Sequence, residues 1–113
     1  MYSVIKIKDL MSLEKILLMI NSKYKFELSF ANAYKLYLYL MDVGKITNYF
    51  FTIQDEFHSK YGDVEKLQEY HDKILQEEIA FEYRNIIKFI KEVQGSFEDN
   101  ELNKVINDIK FWG

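Results

Sequence analysis

The fold is decided by the stretch Phe30 to Asp63, whose sequence is FANAYKLYLYLMDVGKITNYFFTIQDEFHSKYGD. Ser29 can cap the start of a helix, and the sequence contains no proline to stop it before about Tyr61. At about 1.5 Å per residue this helix is about 48 Å long, longer than a compact domain of this size is wide. We therefore expect the helix to protrude, bend or break. Gly44 is the expected bend, or the place where another helix approaches closely.

A second helix is expected to return along the first. Residues spaced alternately by four and three form a line typical of an antiparallel helical pair, namely Leu36, Leu40, Val43, Thr47, Phe50, Gln54, Phe57 and Tyr61. Gly62 suits the left-handed position after a helix, and Asp63 suits the N-cap of the next one. The returning helix is predicted from about Val64 to Glu78, with an apolar face of Val64, Leu67, Tyr70 or His71, Ile74 and Leu75.

The N-terminal segment predicts a strand followed by a short helix. Apolar and charged residues alternate up to Lys8, so Tyr2 to Lys8 is interpreted as a half-buried strand. Asp9 or Ser12 can cap a helix that runs to about Ser22, where apolar residues recur at spacings of three and four. Residues 21–25 are polar enough to form the turn that follows.

Residues 79–84 fit two interpretations. Ile79, Phe81 and Tyr83 alternate as in a strand, while the same segment also continues a helical line of apolar residues. An N-terminal strand with an inward apolar face needs a neighbour, because a lone strand is not stable. We therefore favour a strand over residues 79–84 that pairs with residues 2–8, and the helix stays open as the alternative.

The remaining sequence predicts two more helices. One is expected from Ile86 to Val93, followed by a turn at residues 94–96 and a final helix that Ser96 or Asn100 caps and that ends at about Ile109. The last residues, Phe111 and Trp112, are expected to fold back onto the protein. The predicted fold class is mainly α (α+β): residues 1–113 form one domain with a long antiparallel helical hairpin, shorter helices and a minimal two-stranded sheet.

Composition excludes several classes of function. The net charge is −3, from 15 Lys and Arg against 18 Asp and Glu, and Arg84 is the only arginine, so nucleic acid is not an expected partner. Base stacking by aromatic residues interleaved with Lys35 and Lys45 would need a more basic chain. Mimicry of DNA would need a far more acidic one. The absence of cysteine excludes thiol chemistry. No segment is apolar enough to cross a membrane, so we expect a soluble protein in the cytoplasm.

Catalytic and metal-binding patterns are weak. The two histidines, His58 and His71, follow Asp55 and Gln68 by three residues, which resembles half of the carboxylate-x-x-His element of metal-binding helical bundles. The facing carboxylates that complete such a site are missing. Phosphate-binding loops, nucleophile elbows and zinc-protease motifs do not occur. We therefore predict no enzyme activity, no catalytic residue, no metal and no cofactor, with a metal-binding helical enzyme as a distant third hypothesis.

The most unusual segment is the start of the long helix, residues 30–41. Its only clearly polar residues are Asn32 and Lys35, so it is apolar on nearly every side. Its remaining large side chains either pack inside the protein, which is the commoner outcome, or form a protein interface, where tyrosine is enriched. The candidate interface residues are Tyr34, Tyr37, Leu38 and Met41.

The order of these segments resembles a family of small uncharacterised tailed-phage (siphophage) proteins from low-GC Gram-positive hosts. The likeness covers about residues 4–83 and rests on IKIKDL at residues 5–10, LSFANAYKL at 28–36, YG at 61–62, KLQEY at 66–70 and LQEEI at 75–79. The resemblance implies a strand, a helical hairpin and a return strand, with no catalytic residues to assign. Residues 84–113 are more helical than the family pattern.

These observations together predict a non-enzymatic accessory protein of phage or prophage that works by protein–protein contact. The partner would be a second copy, a virion protein or a host protein, and neither nucleic acid nor membrane is expected. The alternative is a phage inhibitor of a host defence protein, of the anti-CRISPR kind or another, which would form a stoichiometric complex with its target.

Overall fold

The computed structural model describes residues 3–108, which form five α-helices and two short strands. The elements in chain order are β1 Val4–Lys6, α1 Ile7–Tyr24, a 3-10 turn Lys25–Glu27, α2 Phe30–Tyr61, α3 Val64–Gln76, β2 Glu78–Ala80, α4 Arg84–Gln94 and α5 Asn100–Asn107. The predicted mainly α fold with a long helical hairpin and a minimal sheet is confirmed.

The long helix has the predicted bounds because its end signals are local. The Ser29 hydroxyl accepts a hydrogen bond from the Asn32 backbone N–H at 3.2 Å, as an N-cap should. Gly62 ends α2 in the left-handed conformation, with φ of 61°. The Asp63 carboxylate then accepts hydrogen bonds from the first turn of α3, the shorter of them 2.9 Å from the Glu65 N–H. The principal dimension of the molecule, 47 Å, matches the expected length of about 48 Å for α2.

The helix continues through Gly44 without interruption. A Cβ atom placed on Gly44 would meet nothing within 4 Å among the described residues. Within residues 3–108 no second helix approaches Gly44 as closely as the sequence suggested.

The two strands pair antiparallel, with Val4 opposite Ala80 and Lys6 opposite Glu78. Two backbone hydrogen bonds extend the pair: the Phe81 N–H donates to the Ser3 carbonyl and the Ile7 N–H donates to the Glu77 carbonyl, both at 3.0 Å. The second segment therefore contains a strand that pairs with the N-terminal one, as predicted. The pairing covers residues 4–6 and 78–80, shorter than the predicted 2–8 and 79–84.

The start of α1 differs from the prediction. The helix begins at Ile7, so the expected strand up to Lys8 is wrong, and neither Asp9 nor Ser12 is its cap. A buried Ile7 fits both patterns. It is the next inward residue of an alternating strand, and it is also the first member of the apolar line of a helix that continues through Leu10 and Leu13. The segment is helical because its apolar line continues for about four turns, which a short strand cannot match. The helix ends at Tyr24, two residues beyond the predicted end at Ser22.

The C-terminal helices also begin at other residues than expected. Arg84 begins α4, two residues earlier than predicted, and Asp99 caps α5 in place of Ser96 or Asn100. The Asp99 carboxylate accepts a hydrogen bond from the Leu102 N–H at 2.9 Å. The predicted helix end at Ile109 and the predicted packing of Phe111 and Trp112 lie outside the described residues.

The hydrophobic core is built around α1, which packs against α2, α3, α5 and β1. Its buried members come from most elements of the fold: Ile5, Leu10, Leu13, Ile16, Leu17, Ile20, Leu36, Val43, Ile86, Ile87, Phe89, Ile90, Val93, Phe97, Leu102 and Ile106. One polar link crosses the core, where the Thr47 hydroxyl of α2 donates to the Glu14 carboxylate of α1 at 2.7 Å. The core therefore covers one side of α2 only.

The hairpin partner α3 lies beside the second half of α2. The ring of Phe57 stacks on that of Tyr70 with centroids 4.3 Å apart, and Phe50 contacts the His71 ring at 5.4 Å. Val64 was expected on the packed face, but it is exposed, because it lies in the first turn directly after the hairpin loop. The first half of α2 thus has no part in the hairpin contact.

Candidate interaction surface

The first half of α2 presents one continuous apolar surface. Phe30, Tyr34, Tyr37 and Met41 follow each other at spacings of four, three and four, which puts them in one line along the helix. Leu38 lies about 100° around the helix from Tyr37. We call the surface formed by Phe30, Tyr34, Tyr37, Leu38 and Met41 the aromatic face.

The fold leaves this face open. The exposed fraction is 53% for Tyr34, 56% for Tyr37, 39% for Leu38 and 43% for Met41. Core packing, the favoured interpretation of these four residues from the sequence, is therefore wrong. The buried line of α2, to which Leu36 and Val43 belong, points about 100° away from the aromatic face, so α1 and the other core helices do not reach it.

Two further exposed aromatic residues were not selected from the sequence: Phe30 of the face, and Phe26 in the turn before α2. Phe30 is 87% exposed and Phe26, in the 3-10 turn, is 95% exposed. The spacing of four residues back from Tyr34 could have identified Phe30. Phe26 gave no such signal, because it lies in a segment expected to be a plain turn and its exposure depends on the path of the chain between α1 and α2.

The rings of the face are ordered along the helix. Phe30 and Tyr34 stack with centroids 6.5 Å apart and 2° between their planes, and Tyr34 and Tyr37 stack at 6.3 Å and 24°. These separations are at the long end of the range for aromatic pairs, about 4.5–7 Å. The three rings therefore stack in a row along one helix, and their outer edges are exposed.

Charged groups lie around the aromatic face and not within it. Lys35, Asp42 and Lys45 are exposed on the flanks of the same stretch of α2. The Lys25 ammonium lies 5.2 Å from the centroid of the Phe26 ring, a cation–π contact in the 3-10 turn that precedes α2. An apolar centre with charges at its border is the usual composition of a protein interface.

The two histidines do not form a metal site in the described part of the chain. Within residues 3–108 no group of three or more His, Asp or Glu side chains is placed to hold a metal ion. Instead, the His71 Nδ1 lies 2.6 Å from the Gln54 amide oxygen, which ties α3 to α2, and His58 is exposed near the end of α2. His71 thus has a structural role in the hairpin.

A second cluster joins the end of α1 to the start of α5. The Tyr24 hydroxyl donates to the Asp99 carboxylate at 2.6 Å, Lys23 forms an ion pair with the same carboxylate at 3.2 Å, and the Tyr24 ring stacks on Phe97 at 4.1 Å. Its hydrogen bond to Asp99 raises the pKa of Tyr24 to about 12. The hydrogen bonds from Tyr24 and from the Leu102 N–H lower the pKa of Asp99 to about 2. Because Asp99 also caps α5, the cluster links the two helices. We call the cluster of Lys23, Tyr24, Phe97 and Asp99 the clasp.

Two cavities lie away from the aromatic face. The larger, about 690 Å³, is an open groove beside β1 and α1, where Lys6, Lys8 and Lys15 are balanced by Asp9, Glu78 and Asp108, so it favours neither anions nor cations. The smaller, about 260 Å³, lies between α1, α2 and α3 and is mostly apolar, with Lys73 and Glu77 as its charged residues. Neither groups residues that could activate a bound substrate.

Known proteins give no further guide to the site. Comparison with protein-family models, with curated proteins and with solved structures finds no match to this chain. None of the helices within residues 3–108 has the length and apolar composition needed to cross a lipid bilayer.

Proposed function

We propose that this chain is a small non-enzymatic accessory protein of phage or prophage that acts by protein–protein contact through its aromatic face. The observation that carries the proposal is the exposure of Phe30, Tyr34 and Tyr37 in one line on a helix whose opposite side is covered by the core. Monomeric soluble proteins rarely expose a contiguous apolar patch larger than a few hundred Å². Aromatic residues of this kind supply most of the binding energy at protein interfaces.

The assignment to phage rests on the sequence resemblance over residues 4–83. Such a protein would act on a virion protein, on a host protein or on a second copy of itself. A surface for contact is the feature that such a role needs, and the aromatic face supplies one.

Site-specific photocrosslinking tests this proposal. We would introduce the photoreactive amino acid benzoylphenylalanine at Tyr37 and express the protein in a low-GC Gram-positive host during phage infection. The matched control is the same substitution at Tyr61, which lies on the same helix, is 50% exposed and is outside the aromatic face. We expect adducts from position 37 that are absent from position 61, identified by mass spectrometry.

The identity of the adduct separates the forms of the proposal. An adduct of the chain with itself or with a virion protein supports an accessory role in assembly. A one-to-one adduct with a host defence protein would support the alternative, an inhibitor of that protein. The proposal is wrong if position 37 gives no adduct beyond those of position 61.

A further inference from the structure

We infer that the aromatic face binds a second copy of this chain, with the two α2 helices antiparallel across a twofold axis. This inference rests on the proposed function and names its partner. The axis passes between residues 35 and 36, so Phe30 lies opposite the partner's Met41 and Tyr34 lies opposite the partner's Tyr37.

The spacing of the face is the same from either end. Phe30, Tyr34, Tyr37 and Met41 are separated by four, three and four residues, so turning the helix around maps each position onto another member of the set. A twofold interface requires such self-complementarity, because the same patch is used on both subunits. The alternation of three and four is also the spacing with which two helices interlock their side chains along a seam.

The exposed area of the face reaches the lower limit for a specific interface. A whole aromatic side chain presents about 200 Å², so the exposed fractions of Phe30, Tyr34 and Tyr37 amount to roughly 390 Å² per copy. Burying this area on both copies removes about 800 Å² from water, and Leu38 and Met41 bring the total to the roughly 1,000 Å² that a specific interface should reach.

The charges beside the face favour the antiparallel direction. The first turn of α2 contains no acidic residue of its own to complement the positive end of the helix dipole. In the antiparallel pair Asp42 lies level with Ser29 of the partner, next to that end. In a parallel pair in register Asp42 would instead lie level with the partner's Asp42 and far from the partner's helix N-terminus, so this complementarity would be lost.

Sedimentation equilibrium of the purified chain tests the pairing. We expect twice the chain mass of 13.7 kDa, and Tyr37→Glu should weaken self-association at least about 100-fold, because each copy then brings a charge into the centre of the interface. The matched control, Tyr61→Glu, places the same charge on an equally exposed tyrosine of the same helix and should remain a dimer. Helical circular dichroism should be unchanged in both variants.

Cysteine pairing tests the direction, since the chain has no cysteine of its own. A mixture of Phe30→Cys and Met41→Cys chains should form a disulfide dimer, because a disulfide needs Cα atoms about 4.4–6.8 Å apart. Met41→Cys alone should form none, because two copies of position 41 are separated by about 16 Å along the antiparallel pair. A disulfide in Met41→Cys alone, with no mixed disulfide between positions 30 and 41 in the mixture, would overturn the antiparallel arrangement.

The outcomes distinguish this inference from the proposed function. A mass of 13.7 kDa at every concentration overturns the second copy as partner. If position 37 still crosslinks to a virion or host protein, contact through the aromatic face stands and only the partner is different. If the chain is monomeric and position 37 gives no specific adduct, both are wrong.

Discussion

At the scale of single residues, Asp99 is the centre of the cluster that joins the end of α1 to the start of α5. It accepts hydrogen bonds from the Tyr24 hydroxyl and the Leu102 N–H and pairs with Lys23, so three donors of two helices meet at one carboxylate. Each of these contacts favours the ionised form. The clasp therefore depends on the charge of Asp99 and, through it, on pH.

We predict that acid weakens the folded state through this residue. The pKa of Asp99 is lowered from 3.8 to about 2 in the folded chain, so the unfolded chain binds the proton first as the pH falls. The contribution of the clasp is complete above about pH 4 and is lost as the pH falls towards 2. Urea unfolding between pH 5 and pH 2 should show this loss for the natural chain.

Asp99→Asn is the control for the acid prediction. Asparagine also caps helices well, so the variant keeps the α5 cap but removes the titrating group. We expect the stability of Asp99→Asn to fall less steeply over the same pH range. Equal slopes for the two proteins would contradict the assigned pKa of Asp99.

At the scale of elements, α2 contains one glycine, Gly44, and is ended by a second, Gly62, whose backbone differs. Gly44 lies inside the helix, where a Cβ would meet nothing within 4 Å among the described residues, while Gly62 ends the helix with φ of 61°. Alanine is the better helix former at the first position, and a left-handed backbone is unfavourable for it at the second. The same substitution should therefore have opposite effects in the middle of the helix and just after its end.

We predict that Gly44→Ala raises the free energy of unfolding by about 1 kcal/mol and that Gly62→Ala lowers it by about 1 kcal/mol. Chemical denaturation followed by circular dichroism measures both. A loss of stability in Gly44→Ala would mean that something approaches this position more closely than the chain itself does.

The elements also show which parts of the fold the sequence predicts well. The ends of α2 and the start of α3 follow from Ser29, Gly62 and Asp63, whose effect on the backbone is local and needs no other part of the chain. The start of α1 was missed because Lys6 at the N-cap makes no side-chain cap in the described structure. Ile7 fits the apolar pattern of both a strand and a helix, and only the packing of the whole segment decides between them.

At the scale of the whole molecule, the length of α2 explains the open surface. One helix spans the 47 Å length of the molecule, while the core helices pack against one side of it and α3 covers its second half. The first half is left with aromatic residues that the core does not reach. The sequence identified this segment by its composition, but the choice between core and surface required the positions of α1, α4 and α5.

The central claim is that the fold does not need the aromatic face for its own stability. Urea unfolding of Tyr37→Glu tests it most directly, compared with the natural chain at dilutions where both sediment at 13.7 kDa. Since Tyr37 is 56% exposed, we predict a change of at most about 1 kcal/mol in the free energy of unfolding. A loss of about 3–5 kcal/mol, the usual cost of disrupting a buried aromatic residue, would contradict the account.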